Sequence, residues 1–77
     1  MTDDERKMLD FEESNPRNDR RKEGAIRTEF AMSWVRYRQL LNRLVERQDV
    51  LSEYASVAHR VAAATAAAVA RRAARRF

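Results

Sequence analysis

The chain has 77 residues, 16 Lys and Arg against 12 Asp and Glu, one glycine, one proline, one tryptophan and no cysteine. A chain of this size forms at most one compact domain and buries only about 60% of the surface its unfolded state exposes. Without cysteine it has no disulfide framework and no thiolate metal site, and with one glycine and one proline it has almost no turn chemistry for hairpins. The expectation is an all-α fold: a small helical bundle containing a helix-turn-helix, with a long C-terminal Ala/Arg-rich helix. The start, Met1 to Glu5, is acidic rather than basic and apolar, and no run of about 18 apolar residues occurs, so a cytoplasmic protein with no membrane partner is expected. Charge is uneven: residues 1–20 hold 7 acidic and 4 basic groups, net −3, while residues 21–77 are net +7. A basic body behind an acidic lead suits an anion-binding surface.

Residues 1–21 are expected to form an acidic helix and a charged linker. Thr2 is a capping residue, and Asp3, Asp4 and Glu5 favour the positive end of a helix running from Asp3 to Ser14. Its apolar residues, Met8, Leu9 and Phe11, are too few for it to stand alone, so it must dock. Asn15-Pro16 stops it, and residues 16–21 read as a mobile linker.

Residues 22–47 form the expected helix-turn-helix. Ile26 and Phe30 share one face of a short helix from Lys22 to Phe30. Ala31-Met32-Ser33 follows as a turn, with Ser33 as the cap of a second helix from Trp34 to Arg47. In that helix Tyr37, Leu40, Leu41 and Leu44 form an apolar stripe, and Val35, Arg38, Gln39 and Asn42 a mostly polar one. Two helices around a three-residue turn, the second with one apolar and one polar face, describe this motif, and Ile26, Phe30, Met32, Tyr37 and Leu40 would make its small core. Ala31 takes the place usually given to glycine, and Arg27 the close-packing place usually given to alanine.

In residues 48–77, Val50, Leu51, Tyr54, Val57, Ala58 and Val61 keep helical spacing and predict a third long helix. The alanine and arginine segment beyond Val61 has high helix propensity but little area to bury. Three fates are open to it: gripping phosphates, binding itself or a partner helix, or remaining a solvated end. The stripe Val57, Val61, Thr65, Val69, Ala73 favours association, and a homodimer would add buried area and present two recognition helices to a palindromic site.

Asp10-Phe11-Glu12, Lys22-Glu23-Gly24-Ala25-Ile26-Arg27, Phe30-Ala31-Met32-Ser33, Arg36-Tyr37, Gln39, Leu41-Asn42 and Leu51 resemble a family of short uncharacterised actinobacterial and actinophage proteins, a domain of unknown function with a helix-turn-helix-like centre. The resemblance spans residues 10–61 and leaves the tail as particular to this chain. It implies the fold and lends little to function. It also implies a glycine at the turn, where this chain has Ala31. The pattern is similar, more loosely, to the helix-turn-helix of sigma-factor region 4.

Docked as such motifs dock, the second helix would enter the major groove of duplex DNA with Trp34, Val35, Arg38, Gln39 and Asn42 toward the bases. Arg36, Arg43 and Ser33 would take phosphates, joined by Arg71, Arg72, Arg75 and Arg76 of the tail. The function expected is a DNA-binding protein of transcription-regulator type. The alternative is a module that binds a host, phage or polymerase protein through the same scaffold and the C-terminal helix. Tyr37 and Tyr54 are read as packing residues and His59 as a surface residue. Asp3, Asp4, Glu5, Asp10, Glu12 and Glu13 are expected on a solvated face with no partner for catalysis. No enzyme, no metal, no cofactor and no small-molecule substrate is expected.

Overall fold

The computed structural model describes residues 1–75. Its helices are α1 (Asp3–Ser14), α2 (Arg20–Phe30), α3 (Trp34–Leu44), α4 (Gln48–Glu53) and α5 (Ala55–Ala74), and among the described residues there is no strand. α1 begins with a reciprocal capping box: the Thr2 hydroxyl accepts from the Glu5 amide at 3.1 Å, and the Glu5 carboxylate accepts from the Thr2 amide at 2.8 Å. That amide above all, with Arg47 behind it, holds the Glu5 carboxyl below its ordinary range. Asn15, ahead of Pro16, leaves the helical region and ends α1.

The linker is shorter than its charge suggests. Asp19 caps α2, accepting from the Lys22 amide at 2.9 Å, so Arg20 and Arg21 are helical rather than part of a mobile connection. An aspartate at this position satisfies an orphan amide and faces the positive helix end, which sets the start ahead of the apolar pattern. α2 closes on Ala31 in the left-handed region, φ 52° and ψ 38°, with its N–H donating to the Arg27 carbonyl at 3.1 Å. Left-handed backbone costs an L-residue about 1–2 kcal/mol, and glycine adopts it freely. Ala31→Gly is therefore expected to stabilise the fold by about 1 kcal/mol after the extra entropy of its unfolded chain, raising the melting temperature by roughly 4–8 °C. A thermal melt followed by circular dichroism checks this, and an unchanged or lowered midpoint would count against it.

Ser33 caps α3 as expected, accepting from the Arg36 amide at 3.2 Å. α3 ends at Leu44 rather than Arg47, and the third long helix is two helices divided at Tyr54, where φ is −123° and ψ 46°. No breaker residue stands there. The division is tertiary: the half-buried Tyr54 donates its hydroxyl to Asp10 of α1 at 2.7 Å, pinning the joint against the first helix.

Every helix supplies the core. Met8 and Leu9 come from α1, Ile26 from α2, Tyr37, Leu41 and Leu44 from α3, Val50 from α4, and Val57, Ala58 and Val61 from α5. Leu9, Ile26 and Leu41 are fully buried, each contributing about 1.5–3 kcal/mol relative to exposure. Phe11, Phe30 and Tyr37 form an aromatic cluster with centroids 5.3–6.1 Å apart, Phe11 meeting the other two edge to face. Beyond Val61 the core gives out, and α5 continues as a mostly exposed alanine and arginine helix. No helix among the described residues is long and apolar enough to cross a membrane.

A candidate nucleic-acid interface on α3 and α5

The pose of α3 depends on a buried carboxylate. Glu12 lies on α1 three and four residues after Leu9 and Met8, so it shares their inward face and is only 2% exposed, against the expectation of a solvated position. Lys22, one turn before Ile26 on α2, is 3% exposed, and its ammonium donates to Glu12 Oε1 at 2.6 Å and to Asn18 Oδ1 at 2.9 Å. The Tyr37 hydroxyl donates to Glu12 Oε2 at 2.6 Å, and Arg60 of α5 donates to the Glu12 backbone carbonyl at 2.7 Å. Burial pushes the Lys22 pKa down while Glu12 opposes it, and burial together with Glu12 drives the Tyr37 phenol far up. One side chain thus ties α2 and α3 to α1, while its backbone carbonyl holds α5. The apolar register of Met8 and Ile26 carried the signal for this network, which the charges of Glu12 and Lys22 masked.

With Tyr37, Leu41 and Leu44 turned inward, the opposite edge of α3 is a crest of Val35, Gln39 and Arg43 at four-residue spacing, with Arg36 beside it, all exposed. The remaining expected reading residues already have partners within the protein. Trp34 is half-buried and stacked on Tyr37, with centroids 6.4 Å apart. Arg38 lies over the Trp34 ring at 5.6 Å and 3.9 Å from Glu12 Oε1, with 17% of its side chain exposed. Asn42 accepts from the Thr65 hydroxyl of α5 at 3.1 Å. Ser33 is exposed, with its hydroxyl engaged as the cap. Periodicity along α3 grouped Arg38, Gln39 and Asn42 on one polar stripe, and all three line the groove beside α5, Gln39 exposed and Arg38 and Asn42 half-buried.

Between α3 and α5 runs a groove of about 660 Å³, walled by Trp34, Val35 and Arg38 on one side and Thr65, Val69, Arg71 and Arg72 on the other. Among the described residues that line it, none is acidic. Arg71 and Arg72 on the last turn of α5, and Arg75 that caps it, are exposed, and Arg76 lies outside the described residues. Acids are engaged elsewhere: Glu53 holds Arg6, and Glu5 and Asp49 hold Arg47, pairs that join α1 to the α3–α4 connection and to α4. Arg47 keeps the Asp49 carboxyl, and Arg6 the Glu53 carboxyl, below the usual range. Arg27 is exposed and pairs with Glu23 one turn away, so no close helix approach is asked of it. His59 is exposed. Among the described residues no group of three His, Cys, Asp or Glu side chains converges to hold a metal ion.

A protein family of unknown function, DUF3263, matches residues 1–76, and the chain belongs to it. The match takes in the alanine and arginine tail, which the narrower resemblance over residues 10–61 had set apart. No curated protein and no solved structure matches the chain.

Proposed function

We propose that this DUF3263 protein is a DNA-binding protein of transcription-regulator type, which lays the α3 crest into the major groove of duplex DNA and places Arg71 and Arg72 of α5 on the bordering phosphates. The observation that carries this reading is the face itself: an exposed ridge of Val35, Arg36, Gln39 and Arg43 beside a groove whose charged lining is entirely basic among the described residues. Packed helices lie about 8–10 Å apart, and the major groove is about 12 Å wide. A helix seated in that groove therefore carries its neighbour over the adjoining backbone.

On this reading the division of labour differs from the stripe read along α3. Gln39 is the crest residue suited to pair with adenine, and Arg43 is suited to phosphate. Val35 offers a methyl contact to thymine, and Arg36 a phosphate contact. Arg38 and Asn42 act as supports, since both already have partners within the protein. One such helix reads only a few base pairs, and a second copy on a palindromic site would double the number.

Amide shift mapping tests the surface. Titrating labelled protein with a random-sequence duplex at low salt should move the amides of Val35 to Arg43 and of Arg71 and Arg72, leaving those of α4 still. Shifts confined to α1 and α4, or no shifts, would overturn the assignment.

A further inference from the structure

Two of the three large hydrophobic residues that stand exposed among the described residues, Val35 at 63% and Val69 at 58%, line one groove, the groove between α3 and α5. Ala64 and Ala68 of α5, the half-buried Trp34, and Arg38, Arg71 and Arg72 line it with them. DNA contact explains the arginines and Val35. It gives Val69 little, because the sugar-phosphate backbone that Arg71 and Arg72 would meet is dominated by charged phosphate oxygens.

We infer that this groove docks an acidic amphipathic helix of a partner protein. A trough between two helices that exposes Val35 and Val69 beside arginines is a surface suited to the apolar face of a third helix. The charge selects which helix: three arginines and no acid among the described lining residues favour glutamates and aspartates flanking the apolar stripe, and repel a basic helix. A second copy of this chain does not meet the requirement. Its α5 ends in the same arginines, and its acidic α1 is already committed to its own core through Met8, Leu9 and Glu12. The inference does not rest on DNA binding, but the two ligands draw on the same Arg71 and Arg72, so they compete.

Trp34 is the one tryptophan of the sequence and lies in the groove, which makes its emission the readout. The probe is a synthetic helical peptide of about five turns, leucine at i, i+3, i+4 and i+7 with glutamate elsewhere. Controls are the same peptide with lysine for glutamate and a scrambled acidic peptide of identical composition. The expected result is a saturable blue shift with the acidic amphipathic peptide alone. Val69→Asp and Arg72→Glu, both at exposed positions, should each weaken that binding at least about tenfold, and a labelled DNA duplex should displace the peptide. Absence of a saturable shift up to about millimolar peptide, equal binding of the scrambled peptide, or wild-type affinity in Val69→Asp would each overturn the inference. A response to phosphatidylglycerol vesicles in place of the peptide would overturn it in favour of a lipid surface. No nucleic acid is present in the binding arms, so their failure is separable from failure of the DNA reading.

Discussion

Glu12→Ala is expected to cost about 3–5 kcal/mol, the penalty for leaving a buried charge without its partner. Lys22 would keep its ammonium in a site 3% exposed with only Asn18 to receive it, and the Tyr37 hydroxyl would lose its acceptor. Small domains hold about 5–15 kcal/mol in total, and a chain with this thin a core lies toward the lower end, so the variant should be largely unfolded in mild denaturant. Urea unfolding followed by circular dichroism gives the number. The double variant Glu12→Leu with Lys22→Met removes both charges together and should lose far less, because an apolar pair of similar volume carries no desolvation penalty. A single variant within about 1 kcal/mol of the wild type would mean that the network does not hold α2 and α3 against α1.

The second large effect concerns the crest. Replacing Arg36 and Arg43 together by alanine should weaken duplex binding by about one to two orders of magnitude at low salt. Each phosphate contact contributes about −0.9 to the slope of log affinity against log salt, so the slope should also become shallower by about 1.8. Gln39→Ala should behave differently, leaving the slope alone and relaxing sequence preference, since an amide reads a base edge and releases no counterion. Anisotropy of labelled duplexes across a salt series separates these outcomes. A double arginine variant with wild-type slope would remove α3 from the interface.

Much of the fold was legible in residue order. Thr2 and Ser33 announced the starts of α1 and α3, Asn15-Pro16 announced an end, and the registers of Met8 and Leu9, of Ile26, and of Tyr37, Leu41 and Leu44 marked the faces that are buried. What remained hidden depends on contacts between helices. The break at Tyr54 follows from a hydroxyl reaching Asp10, 44 positions earlier, and no local propensity reports that. Glu12 and Lys22 occupy apolar registers, yet each looks solvated until the other is seen 2.6 Å away. For the candidate interface, periodicity placed Val35, Arg38, Gln39 and Asn42 on one outward stripe, with Arg36 and Arg43 on its flank. That Arg38 and Asn42 are already engaged depends on contacts beyond that stripe, Glu12 of α1 for Arg38 and Thr65 of α5 for Asn42.

Binding of the wild-type chain to a labelled duplex, followed by anisotropy from low to moderate salt, tests the DNA reading most directly. Four arginine contacts, from Arg36, Arg43, Arg71 and Arg72, predict a linear fall of log affinity with log salt and a slope of about −3.6. A flat dependence, or no binding at the lowest salt, would contradict it.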